Sequence, residues 1–399
     1  MTRRRIWLAA VLALVTVTAW AQAGSRYGDN GAYSVHGGQR EHHGTELVPK
    51  MVIIENQYLK HYLDNSNYNQ EDYTYSNMWK SLPEQYGRYD KPEPAVFRWD
   101  YSPFWNEVVL EIRENEFDPV PFQAIHVKPK SHGCEVYNLI PGRRYYYSLV
   151  DIMANNEYEH GSFFVEGRRR MIRADFVRNI RDFGGMITDD GKPLRYGLLY
   201  RGAAMDNGRG GTRDSLFNRD GWEVLHNVIK VRADIDLRGP RELLLMDDYA
   251  GNDMNNSPLG ADVEYHNFPI SDFGAITVSN MYGPVIAQVV NCLQRNKVTY
   301  IHCAAGADRT GVLSFLLAGM AGVCETDLAR DYELTCFARN RVNHTRNSEF
   351  PYNYAPSVAY IKANFKGDTL SEKIQDYLIT KHGVTREQIN TFRQIMVGD

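Results

Sequence analysis

The stretch from Val298 to Ala321 constrains the fold of this chain more than any other. An apolar, β-branched run from Val298 to His302 stops at Cys303. It passes through Ala304, Ala305, Gly306, Ala307 and Asp308, and gives way at Arg309 and Thr310 to an apolar segment that reaches Ala321. A short apolar run bounded by a turn reads as a buried strand, and the longer one after it as a helix. A helix that is apolar all round must be enclosed, so the strand belongs to a sheet covered on both faces, the mark of an α/β domain. Two neighbours agree. Val228 to Leu237 reads as a strand ending in Asp236, Leu237 and Arg238, and Val285 to Gln294 as an amphipathic helix. Asp206 to Gly221 and Asp247 to Gly260 are rich in Gly, Asn and Asp and read as loops.

Upstream of residue 172 the pattern changes to short strands. Ala95–Trp99, Glu107–Ile112, Tyr145–Val150 and Ser162–Val165 are β-branched and aromatic runs separated by Pro, Gly and Asn turns. The run Leu139, Ile140, Pro141, Gly142, Arg143, Arg144, Tyr145 resembles the tyrosine corner of fibronectin type III and related sandwiches. There a Tyr hydroxyl, here that of Tyr145, bonds back to the upstream backbone. A chain of 399 residues exceeds the usual domain of about 150. The expectation is therefore a small all-β sandwich over 47–167 and an α/β domain with a central sheet flanked by helices over 172–399. Asn56 to Pro94 fits the sandwich poorly and reads as a long loop with one short helix. Its tyrosines read as packing rings, with a recognition surface as the alternative. Arg168, Arg169, Arg170 and Arg173 form a basic hinge between the two parts. It reads as a solvated linker pairing with nearby acids, the alternative being a patch that steers anions.

The N-terminus has the anatomy of a secretory signal: Arg3, Arg4 and Arg5, an apolar stretch from Ile6 to Thr18, and small residues at Ala19, Ala21 and Ala23. Residues 1–23 are read as a cleaved signal peptide, so the chain is expected to be exported, periplasmic or secreted. No stable membrane insertion is expected after cleavage, because the stretch falls short of the ~20 apolar residues of a spanning helix. Residues 24–46, polar and Gly-rich with His42 and His43, read as a flexible tether. A net charge of −4 lacks the basic excess that nucleic-acid binding requires. Cys134, Cys292, Cys303, Cys324 and Cys336 are too few for a disulfide framework, although export permits pairing among Cys292, Cys324 and Cys336. With no Cys-x-x-Cys pair and no His at zinc spacing, neither a metal nor another cofactor is expected.

The loop after Cys303 carries the chemistry. Backbone N–H groups at a helix N-terminus converge on one centre, and the helix dipole adds positive potential there. Such a nest, formed by Ala304 to Arg309, binds a phosphate dianion and lowers the pKa of a thiol at its base. Arg309 can return a planar guanidinium over the loop and hold two phosphate oxygens, and Gly306 lets the backbone close around the ligand. Thr310 can offer its hydroxyl to the sulfur. A nucleotide-binding loop is excluded because Val312 stands where that loop requires Lys.

These residues carry a resemblance. Cys303-x5-Arg309 followed by Thr310 and Gly311 resembles the protein-tyrosine-phosphatase superfamily signature. With His302 and Asp308 it is similar to bacterial tyrosine/serine, dual-specificity-like phosphatases, some of whose relatives accept phosphoinositides. Asn179–Gly185, Tyr200–Gly202, Asp236–Arg238 and the stretch from Tyr360 to Met396 are similar to further motifs of that family. The resemblance implies hydrolysis of phosphate monoesters, phosphotyrosine and also phosphoserine or phosphothreonine, in a phosphorylated protein or a small molecule. Cys303 is the implied nucleophile and Arg309 the clamp. It also implies a general acid. Asp272 stands on a loop before a helix, similar to the acid's place in dual-specificity relatives, and Asp308 inside the phosphate loop competes for the role. The alternative for Asp272 is a turn or cap residue, and for Asp308 an ion pair that braces the loop. Two departures narrow the substrate. Ala307 replaces a Lys associated with phosphoinositides, and Asp308 stands where inositol-phosphate phosphatases have Gly. A phosphoinositide or inositol-phosphate phosphatase is one alternative function, and a non-catalytic phospho-ligand binder is another.

Overall fold

The computed structural model describes residues 50–65, 89–99, 108–151, 153, 156–205, 219–239, 256–339, 344–350 and 353–398. The expected signal peptide and tether lie outside these residues. Thr45–Asp399 form one compact unit.

Two sheets make up its first part. β1 (Met51–Ile53), β3 (Val108–Arg113), β4 (Gln123–Val127), β6 (Arg144–Asp151) and β7 (Asn156–Glu166) form one sheet in the order β1-β7-β6-β3-β4. It is antiparallel except for the parallel β1–β7 pair. β2 (Ala95–Arg98) and β5 (Gly133–Val136) pair as a separate antiparallel ribbon. Alternate residues of β6, Tyr145, Tyr147 and Leu149, face inward and pack with Phe97, Leu110, Phe163 and Val165 in one apolar core. The Tyr145 hydroxyl accepts a hydrogen bond from the Ile140 N–H at 3.0 Å, the contact its sequence context led us to expect. β1, β4 and β5 were not legible in the sequence. The first has three residues, and the other two carry Gln, His, Gly and Glu in place of an apolar alternation.

The short helix expected between Asn56 and Pro94 is α1 (Gln57–Asn65). Asn56 caps it, its Oδ1 accepting from the N–H groups of Tyr58 and Leu59 at 3.1 and 2.9 Å. Leu59, Tyr62 and Leu63 pack against Leu334, Cys336 and Phe337 far along the chain. Tyr62 is thus a buried packing ring; residues 66–88, with most of the other tyrosines, lie outside the described residues.

The basic segment at residues 168–173 is not the solvated linker that its composition suggested. Arg169 and Arg170 are 3% and 1% exposed. The Arg170 guanidinium donates to the carbonyls of Asn138 and Leu139, to Asp182 and to the Tyr200 hydroxyl. Asn138 straps Arg173 from both sides, donating to its carbonyl at 2.9 Å and accepting from its N–H at 2.7 Å. Pairing with acids was expected and occurs; solvation was not visible as absent because the acids concerned, Asp182 and Asp331, come later in the chain. The buried cations act as a clamp.

The second part is built on β8 (Arg181–Asp182), β9 (Leu199–Ala203), β10 (Ala233–Asp236), β11 (Glu264–Asn267) and β12 (Thr299–Cys303), in the order β11-β10-β12-β9-β8. All neighbours are parallel except β8. β12 is central and buried at every residue, which is why it reads as a continuous apolar run. The enclosed helix expected to follow is α4 (Arg309–Met320), whose residues from Thr310 to Met320 are all buried. α3 (Tyr282–Gln294), α7 (Tyr354–Asn364), α8 (Leu370–His382) and α9 (Arg386–Met396) share its apolar core. Capping boxes at Thr369 and Thr385 fix the starts of α8 and α9. The loop expected over Asp206–Gly221 ends in a short helix, α2 (Arg219–Glu223). Residues 206–218 and 247–255 of the two expected loops lie outside the described residues.

Candidate active site

Cys303 ends β12 in register with Ala203 of β9, and the chain then turns through Ala304–Asp308 into α4. Gly306 makes this turn possible. Its φ is +64°, and a Cβ there would lie 2.3 Å from the carbonyl carbon and oxygen of Gly202 and 2.7 Å from the Ala203 nitrogen. Only a residue without a side chain lets the loop sit on β9.

The carbonyls of the loop are turned outward and held. The Arg201 Nη2 donates to the Gly306 carbonyl at 2.9 Å, and the Asn179 amide donates to the same oxygen at 2.9 Å and to the Ala305 carbonyl at 3.4 Å. A trans peptide aims its N–H opposite to its C=O, so fixing these carbonyls outward directs the N–H groups of Gly306 and Ala307 to the inside of the loop.

The sulfur lies at the base of that nest. Burial opposes ionisation of the Cys303 thiol. The Arg309 charge, the Thr310 hydroxyl and the N–H groups of Thr310 and Ala305 outweigh it and pull the pKa below the ordinary thiol value. The Thr310 hydroxyl is fully buried and makes no well-angled hydrogen bond, so it remains a donor for sulfur or a bound anion. Arg309 Nη1 donates to the Leu237 carbonyl at 3.2 Å. That carbonyl is set by its neighbours. Asp236 takes the Arg238 guanidinium on both oxygens, Nε at 2.9 and 3.0 Å and Nη2 at 2.6 Å.

Beneath Cys303 lies a buried ion cluster. His302 sits next to Asp236 in register, with its Nε2 2.9 Å from Asp234 Oδ1, a contact off the hydrogen-bond direction. Burial lowers the His302 pKa, but Asp236 and Asp234 push it up to about 9. Burial raises that of Asp236, but His302 and Arg238 bring it down to about 2. On the other side Asp331 receives three guanidinium groups, Arg169 at 2.7 Å, Arg181 at 2.9 Å and Arg201 at 2.6 Å. Burial opposes its charge, yet these cations hold its carboxyl well below the usual range. Asp331 thereby fixes Arg201, and Arg201 the loop.

Of the residues singled out in the sequence, the structure brings together Cys303, Ala304, Ala305, Gly306, Ala307, Asp308, Arg309 and Thr310. Asp308 faces His344, Oδ1 to Nε2 at 2.9 Å, with His344 buried and stacked at 5.7 Å on Tyr332. Asp272 opens a single turn, Asp272–Gly274, in which Phe273 has φ +54°. The turn lies against the start of α4, since a Cβ on Gly274 would be 3.1 Å from the Arg309 Cα. Asn179 and Arg201 stood inside the quoted motifs without an assigned role, while His344 and Asp331 carried no local signal at all.

Among the described residues, Glu264, His266 and Cys292 place ligand atoms within 4.8 Å of one another, a group the sequence spacing did not suggest. Glu264 is already bridged by Arg295 at 2.7 and 2.6 Å and by Lys297 at 2.5 Å, so its charge is met without a cation. All five cysteines are free thiols. No helix of the described residues is long and apolar enough to cross a membrane.

The model of a tyrosine phosphatase family matches residues 172–398. A Cupriavidus necator protein provisionally named a tyrosine-protein phosphatase is 25% identical over 186 residues, 42% of this chain and 63% of that protein. The chain thus spans less than two thirds of that relative's length. Among solved structures, the core catalytic domain of a PP-IP phosphatase from S. cerevisiae in complex with citrate matches 43% of this chain and 91% of its own, at 17% identity and a TM-score of 0.24.

Proposed function

The chain belongs to the tyrosine phosphatase family, and we propose from this and from the Cys303 loop that it hydrolyses phosphate monoesters through a cysteinyl-phosphate intermediate. One observation carries the reading. At the base of the loop a buried thiol has its pKa drawn below the ordinary thiol value by an arginine, a hydroxyl and backbone N–H groups that a phosphate dianion would equally satisfy. The Cys303 sulfur attacks phosphorus, forming the S–P bond as the bond to the leaving oxygen breaks. Arg309 and the loop N–H groups take up the charge on the equatorial oxygens. Asp272 gives its proton to the leaving oxygen and recovers one from the water that then attacks phosphorus, breaking the S–P bond and releasing phosphate. Asp308, occupied by His344, braces the loop.

For the substrate, phosphotyrosine with phosphoserine or phosphothreonine is our reading. Ala307 is fully buried and offers no cation to a second phosphate, which speaks against multiply phosphorylated inositols. We further propose that residues 1–23 direct export to the periplasm or beyond and that 24–46 tether the folded part. We also propose that 47–167 form a fibronectin type III-like sandwich, a reading supported by the Tyr145 to Ile140 hydrogen bond.

Turnover of p-nitrophenyl phosphate by the purified chain tests the central reading. Catalytic release of product by the wild type and none by Cys303→Ser is the expected result. Stoichiometric phosphate binding without product would show a binding protein instead.

A further inference from the structure

The N-terminal segment reaches Asn179, the residue that holds two carbonyls of the Cys303 loop. Asp90 is buried, 2% exposed, and its Oδ2 accepts from the Asn179 N–H at 3.1 Å. Asn179 has φ +60°, in the left-handed region that Asn adopts more readily than most residues other than Gly. Its side-chain amide is the one that fixes the Gly306 and Ala305 carbonyls. Asp90 is itself set by α1. The Asn56 amide donates to the carbonyls of Tyr89 and Lys91 at 2.8 and 2.9 Å, while its Oδ1 caps the helix. The Tyr89 N–H donates to the Phe337 carbonyl at 2.8 Å, tying the same stretch to Phe337 far along the chain.

Resting on the phosphatase reading, we infer that Asp90 is a positioning residue for catalysis: acting through Asn179, it aims the loop N–H groups of Gly306 and Ala307 at the transferring phosphoryl group. Asn56 and Asp90 are thereby part of the catalytic unit, although they precede the region that matches the family model, residues 172–398. Donors that act on charge developing in the transition state affect kcat more than ground-state binding. A residue that merely stabilises the fold would lower the folded fraction and leave the turnover of folded enzyme unchanged.

The experiment uses the full-length chain with p-nitrophenyl phosphate, inorganic phosphate and vanadate. For Asp90→Ala, kcat per folded molecule should fall by about tenfold or more, with KM little changed. Vanadate, the better mimic of the transition state, should lose more affinity than phosphate. Asp90→Asn keeps an oxygen to accept from Asn179 and should recover most of the activity. If Asp90→Ala does not fold, Asn56→Ala, which releases residues 89–91 and leaves the carboxylate in place, should show the same preferential loss of vanadate affinity. Turnover within twofold of wild type, equal losses for vanadate and phosphate, or no rescue by Asn would overturn the inference while wild-type activity and a dead Cys303→Ser leave the phosphatase reading intact. An inactive wild type or an active Cys303→Ser would overturn both.

Discussion

Gly306→Ala isolates the geometry of the phosphate loop. At φ +64° a Cβ costs roughly 1–2 kcal/mol in backbone strain alone. The added atom would also sit 2.3 Å from the Gly202 carbonyl group, where ordinary carbon contacts begin near 3.5 Å, so the loop and the end of β9 must separate by about 1 Å. Neither partner is a flexible side chain. β9 is hydrogen-bonded between β8 and β12, so most of the displacement falls on the loop. A misplacement of this size costs on the order of a hundredfold in rate. The expected outcome is a loss of about 10² in kcat/KM for p-nitrophenyl phosphate, with a modest drop in melting temperature that leaves the protein folded at assay temperature. Steady-state kinetics beside a thermal unfolding curve measures both. A Gly306→Ala enzyme that is folded and within threefold of wild type would show that the contact with Gly202 does not set the loop.

Arg309→Lys should cost orders of magnitude in kcat, because a point charge cannot replace a two-donor fork on the phosphoryl oxygens; a loss below about tenfold, worth roughly 1.4 kcal/mol, would make Arg309 peripheral. Asp272→Asn should slow phosphotyrosyl and phosphoseryl peptides far more than p-nitrophenyl phosphate and flatten the alkaline limb of the kcat/KM profile. Asp308→Asn and His344→Ala should instead depress all substrates alike; the reverse pattern would move the acid to Asp308. His302 has a folded-state pKa near 9, above its unfolded value, so its contribution to stability is fully present below about pH 6.5 and is lost as pH rises towards 9. Chemical denaturation should therefore show stability declining over that window, and His302→Asn should remove the decline. An unchanged decline would place its origin elsewhere.

The strand, turn and helix around Cys303 were legible in the sequence because their parts are consecutive. Strand, Cys303, Gly306, Arg309 and helix lie in one stretch, and each has a local physical reason. The same holds for the Tyr145 contact, which spans five residues. What could not be read is long-range. Asp331 meets Arg169, Arg181 and Arg201 from more than a hundred residues away in the chain, and nothing in its own helix, α5 (Glu325–Glu333), marks it as different from the other acids there. For that reason the arginines at 168–173 looked like a solvated hinge. His344 likewise shows its role only when Asp308 is placed opposite it. Asp90 lies in a stretch read as loop, and only its burial against Asn179 gives it meaning.

In the proposed mechanism phosphate passes through the sulfur of Cys303. Rapid acid quench of the enzyme during turnover, followed by mass spectrometry of its peptides, tests this directly. A phosphate increment is expected on the peptide that holds Cys303, enriched in Asp272→Asn because water activation is slowed, and absent from Cys303→Ser. A phosphate increment on another residue, or full turnover by Cys303→Ser, would contradict it.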